Sequence, residues 1–255
     1  MTLFRGHSYA PGDLIEIAGA RIRLKVSPRA TRVSLRIDHA RREVIASAPS
    51  QRRLGEAVAF AGQRAQWIAT HIGALPRPTS LEPGDTIAVF GQPHRLEPAP
   101  SRLKAGFYED EDGQAVLRAF GEGEAFARSV ARLLKRHALE VLTERTAAHA
   151  AALGRAMPKV AVADAKGRWG SCRPPRPAGR GTTGDSGSIR YSWRLVLAPF
   201  EVADYVAAHE CAHLLEANHS ARFWALVRDI YGVEAGPRGW LRQHGARLHA
   251  FGRAD

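Results

Sequence analysis

Residues 205–213 read Tyr205-Val206-Ala207-Ala208-His209-Glu210-Cys211-Ala212-His213, and a further histidine follows at His219. The stretch decides the fold of the second half of the chain, because Val202, Tyr205 and Val206 give it the apolar spacing of a helix. Pro199 suits the first helical turn, where a missing amide hydrogen costs nothing, and the helix is expected to reach about Leu215. On such a helix His209 and His213 stand at i and i+4, so their imidazoles share one face and can converge on one cation. Glu210 can face the same centre, where a carboxylate takes a proton from water and later passes it on. Cys211 falls on the opposite side and reads as a small core residue.

A tetrahedral catalytic zinc takes three protein ligands and keeps one position open. His219 is the expected third ligand, beyond the helix end. No glycine separates it from His213, so the turn is expected to use Ala217-Asn218, since Asn tolerates a left-handed backbone. The ligand spacing resembles that of metzincins, but the turn chemistry does not, and no metzincin fold is assigned. The next helix is expected from about Ser220 to Ile230, with Phe223 and Trp224 packing against the site. Glu216 reads as a further contact to the site or as a solvated carboxylate. His137, His149, His244 and His249 have no partner at metal spacing and read as structural or exposed. A purely structural zinc would need a fourth protein ligand, so the pattern favours Zn2+-dependent hydrolysis with Glu210 as base.

Working outward, residues 14–48 alternate apolar and polar through Ile15, Ile17, Ile22, Leu24, Val26, Val33, Leu35, Ile37 and Val44. Turn signals stand at 18–20 and 38–40. This reads as a small antiparallel meander. Residues 52–73 carry a helical stripe through Leu54, Val58, Ala61, Ala65, Ile68 and Ile72, before breaks at Pro76, Pro78 and Pro83. Ile87, Val89 and Leu96 suggest strands, and Asp112-Gly113 is a tight-turn signal. A long helix is expected from about Glu122 to Leu153, burying Phe126, Val130, Leu133, Leu134, Ala138 and Val141. A short strand at 160–163, Arg168-Trp169-Gly170-Ser171-Cys172, an exposed loop from Pro174 to Ser188, a strand at 189–193 and a last helix from Pro237 to Phe251 complete the chain. No internal repeat is apparent. The fold class is α+β, divided as a mostly β region with one helix (1–121) and a core carrying the chemistry (122–255).

The 255 residues can bury a sizeable core. No run of about 18 apolar residues is present, which argues against a membrane span. The N-terminus lacks a signal-like apolar region, so a cytoplasmic location is the default expectation. Two cysteines do not make a disulfide framework, and reduced thiols are expected. The net charge of +12 admits nucleic acid or another anionic partner. Against this, arginine is spread along the whole chain, and no nucleic-acid reading motif accompanies it.

Lys166-Gly-Arg-Trp-Gly-Ser-Cys172, Arg194-Leu195 with Ala198-Pro199, the Tyr205–His213 stretch, Asn218-His219-Ser220 and Phe223-Trp224 together resemble the YgjP-like zinc metallopeptidases, which are related to the WLM and SprT groups. The order of strands, the helix with Trp67-Ile68 and the long central helix is similar too. The resemblance implies a gluzincin-like minimal metallopeptidase core, with a small sheet beside the active-site helix. In it His209, His213 and His219 hold zinc, and Glu210 activates the zinc-bound water to cut a peptide or protein substrate. The 174–188 insertion departs from the short turn usual there. The segment Arg168–Cys172 is a candidate strand for pairing an extended substrate, with Arg168, Gly170 and Ser171 as substrate-binding residues. Alternatively Trp169 and Cys172 pack the core while Gly170 makes a bulge. The arginine excess keeps a nucleoside triphosphate open as an alternative substrate, and the SprT relationship keeps a DNA-associated protease open.

Overall fold

The computed structural model describes residues 8–38, 41–73, 81–165, 167–177 and 184–251. The turn expected at His39-Ala40, the breaks at Pro76 and Pro78, Lys166 and the middle of the 174–188 loop lie outside the described residues. The chain divides into two compact units, residues 1–77 and 78–254. The strands between residues 86 and 119 thus share a unit with the long helix over 123–152.

In the first unit, β1 (Leu14–Ile17), β2 (Ala20–Val26), β3 (Ser34–Asp38) and β4 (Glu43–Ala48) form a sheet in the order β1-β2-β4-β3. The expected antiparallel meander is corrected here: β1-β2 and β3-β4 are antiparallel, but β2 pairs parallel with β4. β4 is buried along almost its whole length and takes the centre, while the half-exposed β3, with Arg36, goes to the edge. Ile22, Leu24, Val44 and Ala46 alternate onto one face and pack with Leu54, Ala57, Ala61 and Ile68. The single helix expected over 52–73 is two, α1 (Leu54–Gln63) and α2 (Ala65–Gly73). Arg64 leaves the helical region at φ −104°, ψ 18°, two residues after Gly62, a poor helix former.

In the second unit, β5 (Thr86–Val89), β6 (Gln92–Pro98), β7 (Gly106–Glu109) and β8 (Ala115–Ala119) repeat the topology, β5-β6-β8-β7 with a parallel central pair. The likeness extends to single bonds. Gly12 N donates to Leu24 O (2.8 Å) and Leu24 N to Asp13 O (2.9 Å); Gly84 N donates to Leu96 O (2.8 Å) and Leu96 N to Asp85 O (2.8 Å). Pro11-Gly12-Asp13, Ile15, Gly19 and Arg23-Leu24 recur as Pro83-Gly84-Asp85, Ile87, Gly91 and Arg95-Leu96. An internal repeat therefore exists where the sequence reading found none. Gly113, at φ 74°, makes the expected turn between β7 and β8.

The helix α3 (Gly123–Ala152) buries Phe126, Val130, Leu133, Leu134 and Ala138, and Leu142 rather than Val141 continues the stripe. Next come β9 (Lys159–Ala163), β10 (Gly170–Arg173) and β11 (Ser188–Ser192), arranged β10-β11-β9, with β10 antiparallel and β9 parallel to β11. β10 is thus an edge strand. The ends of the expected 174–188 loop prolong the β10-β11 hairpin: Arg176 and Asp185 exchange backbone hydrogen bonds of 3.2 and 3.0 Å, and Arg173 pairs with Asp185 at 3.0 Å. A 3-10 turn over Trp193–Leu197 leads into α4 (Phe200–Ala212), followed by α5 (Ala221–Ile230) and α6 (Ala235–Ala250). Arg194 is 1% exposed and donates from Nε to Phe251 O at 3.1 Å. It also pairs with Asp164 and lies 4.6 Å from the Trp193 ring centre, fastening the end of α6 to the start of the site. Mixed small sheets with six helices among the described residues make the fold α+β. None of these helices is long and apolar enough to cross a membrane.

Candidate metal centre

The helix α4 is buried on nearly every side, which fits its apolar composition. On its side towards α3, Asp204 accepts from Arg145 Nε (2.7 Å) and lies 2.6 Å from His149 Nε2, both on α3. Burial pushes the Asp204 carboxyl up, but the bonds from His149 and Arg145 outweigh it and hold the group below its ordinary range. Cys211 faces the same way, its thiol buried and directed at Thr146 O at 3.7 Å. That is the core role expected of it. His149 is the structural histidine the sequence reading allowed for.

The opposite face carries His209 and Glu210, with His213 capping the helix. One ring nitrogen from each of His209, His213 and His219 lies within 4.8 Å of the other two. His209 Nε2 and His219 Nε2 are 3.0 Å apart, an approach two imidazolium rings would resist. Burial, then the neighbouring His213 and His219, push His209 down to about 3. Burial also lowers His213, against the favourable bond to Glu216. His209 and His213 are therefore held neutral, the form that binds a metal. His213 Nδ1 lies 2.8 Å from Glu216 O. A carbonyl only accepts, so Nδ1 carries the proton and Nε2 is left to coordinate.

The turn to His219 differs from expectation. Asn218 is not in the left-handed region, where the only described residues other than glycine are Ala18, Arg42 and Phe90. Tight bonds from Leu214 N to Cys211 O (2.9 Å) and Leu215 N to Ala212 O (3.1 Å) wind the helix down instead, and they bring the Glu216 carbonyl to His213. Ser220 then caps α5, its Oγ accepting from Phe223 N at 3.3 Å. The Phe223 ring centre lies 4.9, 4.5 and 4.7 Å from those of His209, His213 and His219. Trp224 stacks on His219 at 5.8 Å. Glu216 meets the cluster through its backbone carbonyl, and its carboxylate pairs with Arg222 at 2.9 Å.

Glu210 is 6% exposed. Burial pushes its carboxyl up to about 7, opposed by the charge of Arg168. Gly170 lies directly against it: a β-carbon there would stand 2.6 Å from the carboxyl carbon of Glu210. Gly170 pairs regularly with Tyr191, so it makes no bulge, while Trp169 and Cys172 pack at the edge of the core. Two cavities meet at Gly170, His209 and Glu210. One, about 370 Å³, extends past Ser171 and Cys172 to His213 and His219. The other, about 290 Å³, extends past Trp169 and Tyr205 to Arg238, Leu241 and Arg242 on α6. Arg168 lines neither and reaches Glu210 only through its charge.

Sequence reasoning singled out the histidines, Glu210, Gly170 and Ser171, which all line the cavity of about 370 Å³. It missed Tyr205, whose hydroxyl is 3.4 Å from His209 Nδ1, and the arginines of α6. An i,i+4 arginine pair has no distinguishing mark among 37 basic residues.

A histidine triad beside a buried carboxylate on this fold defines a metal-dependent hydrolase. Residues 31–244 match the family described as the YgjP-like metallopeptidase domain, and the chain belongs to that family. No curated protein and no solved structure gives a significant match.

Proposed function

We propose that this protein is a zinc peptidase whose metal is held by His209, His213 and His219 and whose general base is Glu210. The observation that carries the reading is the convergence of three imidazoles within 4.8 Å beside a carboxylate that burial holds near 7. Three histidines leave a tetrahedral ion one open position, and zinc bound there polarises a carbonyl and acidifies water. The edge strand β10 pairs with an extended peptide, with Gly170 and Ser171 along its backbone. Glu210 takes one proton from the attacking water as its oxygen joins the carbonyl carbon. It then hands that proton to the leaving nitrogen as the C–N bond breaks. Arg168 keeps part of the Glu210 population ionised, and Tyr205 steadies His209. On this reading residues 122–255 form a gluzincin-like minimal core, and free thiols at Cys172 and Cys211 suit a reducing cytoplasm.

The test is metal analysis together with cleavage of peptides and unfolded proteins by wild type and Glu210→Gln. Wild type should carry one zinc and cleave; the variant should keep the zinc and lose cleavage. A fully loaded wild type that cleaves nothing would overturn the reading. Nucleoside triphosphate hydrolysis abolished by His213→Ala would move the assignment to a non-peptide anionic substrate.

A further inference from the structure

The cleft is electrically lopsided. Among the described residues the cavity towards His213 and His219 has no arginine or lysine in its wall, whereas the cavity towards α6 has two, Arg238 and Arg242. These stand at i and i+4 on α6, so both project from one face. Among the described residues neither has an ion-pair partner, and the only carboxylate lining their cavity is Glu210. Arg238 is not loose: its guanidinium lies 4.5 Å from the centre of the Trp224 ring, which itself stacks on His219.

Beside the two arginines the wall carries Trp169, Val206 and Leu241 as its large apolar side chains. Trp169 stacks on the buried His249 with ring centres 4.2 Å apart. Gly245 makes room for it, since a β-carbon there would come within 3.0 Å of the Trp169 ring. Tyr205, His209 and Gly170 form its polar and backbone side towards Glu210. A cavity of about 290 Å³ with apolar side chains along part of its wall, two cations and an opening onto Glu210 has the shape and charge to hold one short acidic side chain or a chain terminus. Arginine is suited to this because its planar fork meets both carboxylate oxygens at once.

We propose that Arg238 and Arg242 form a carboxylate-recognition subsite, which selects substrates bearing a negative carboxylate next to the scissile bond on the α6 side of the cleft. The carboxylate belongs to an Asp or Glu side chain or to the substrate's C-terminus. This deepens the peptidase reading and rests on it. Arg238 and Arg242 bind and orient the substrate and take no part in proton transfer.

The experiment uses the zinc-loaded full chain and sets of quenched peptides that place Glu, Gln or Lys on either side of the cleaved bond, each as free acid and as C-terminal amide. Wild type should favour Glu over Gln at one of the two positions by roughly ten- to a hundredfold in kcat/KM. Arg238→Ala/Arg242→Ala should abolish that preference, and Arg242→Glu should turn it towards Lys. A preference for the free acid over the amide identifies the terminus as the source of the carboxylate, and its absence identifies the side chain. Zinc content and the unfolding midpoint of the double variant should match wild type, since both side chains are exposed.

Binding of the same peptides to zinc-loaded Glu210→Gln, followed by fluorescence anisotropy, separates the two ideas. If wild type cleaves no peptide, the peptidase reading falls, while tighter binding of Glu than Gln peptides that is lost in the double variant still upholds the subsite. Equal handling of Glu and Gln peptides, or a preference that survives Arg238→Ala/Arg242→Ala, overturns it. So does hydrolysis of a nucleoside triphosphate by a protein that binds none of the peptides.

Discussion

A β-carbon on Gly170 would stand 2.6 Å from the carboxyl carbon of Glu210, so the edge strand and the proposed base touch with no space for a side chain. Gly170→Ala should displace the carboxylate by about an ångström and lower kcat on the order of a hundredfold. Zinc content should stay at wild-type level, because no histidine is disturbed. Metal analysis alongside steady-state kinetics checks this, and an alanine variant with wild-type kcat would mean that Glu210 has freedom to move.

The buried Glu210 also sets a pH dependence of stability. Its folded value, pushed up to about 7 from 4.5, means the folded metal-free protein holds this proton more tightly than the unfolded chain does. The contribution is complete below about pH 4.5 and is lost as pH rises through 7. Glu210→Gln has no charge to bury, so above pH 7 it should be more stable than wild type by up to about 3 kcal/mol. The gap should close towards pH 4.5. Urea unfolding of both chelator-treated proteins across this range reads the difference, and a gap independent of pH would count against a buried charge at Glu210.

Zinc binding should stabilise the fold, because the triad is assembled from α4 and the turn behind it only in the native state. At free zinc about a hundredfold above Kd the gain is about 2.7 kcal/mol. Calorimetry with and without chelator should show that shift in wild type. His219→Ala should bind zinc more weakly and show a smaller shift at the same zinc concentration.

Arg194 predicts a loss far from the chemistry. It is 1% exposed and bonded to Phe251 O, so Arg194→Ala leaves a buried carbonyl and a cavity against Trp193. A cost of about 3 kcal/mol is expected. Urea midpoints should fall with an unchanged slope.

The helices and the site were legible because their signals are local. The i,i+4 histidines, the proline before α4 and the apolar stripe of α3 act through neighbours in sequence. Pairing was less legible. Alternation marks Ile22, Leu24 and Val44 as strand residues, yet says nothing about whether β2 takes β3 or β4 as its neighbour, and that choice rests on burial of the whole sheet. Glu216 shows the same limit within the site. Its side chain drew attention in the sequence, but its backbone carbonyl is what orients His213, and a carbonyl leaves no trace in residue identity. The arginines of α6 acquire meaning only because Trp224 and Glu210 lie beside them in space.

The paired hairpins at Pro11-Gly12-Asp13 and Pro83-Gly84-Asp85 make the chain its own control. One substitution, Asp13→Ala or Asp85→Ala, can be placed in either copy, where the turn chemistry matches bond for bond and only the surroundings differ. Whatever the two responses share belongs to the turn. Whatever separates them belongs to the unit in which it sits, so a single molecule yields a matched comparison that ordinarily takes two homologous proteins.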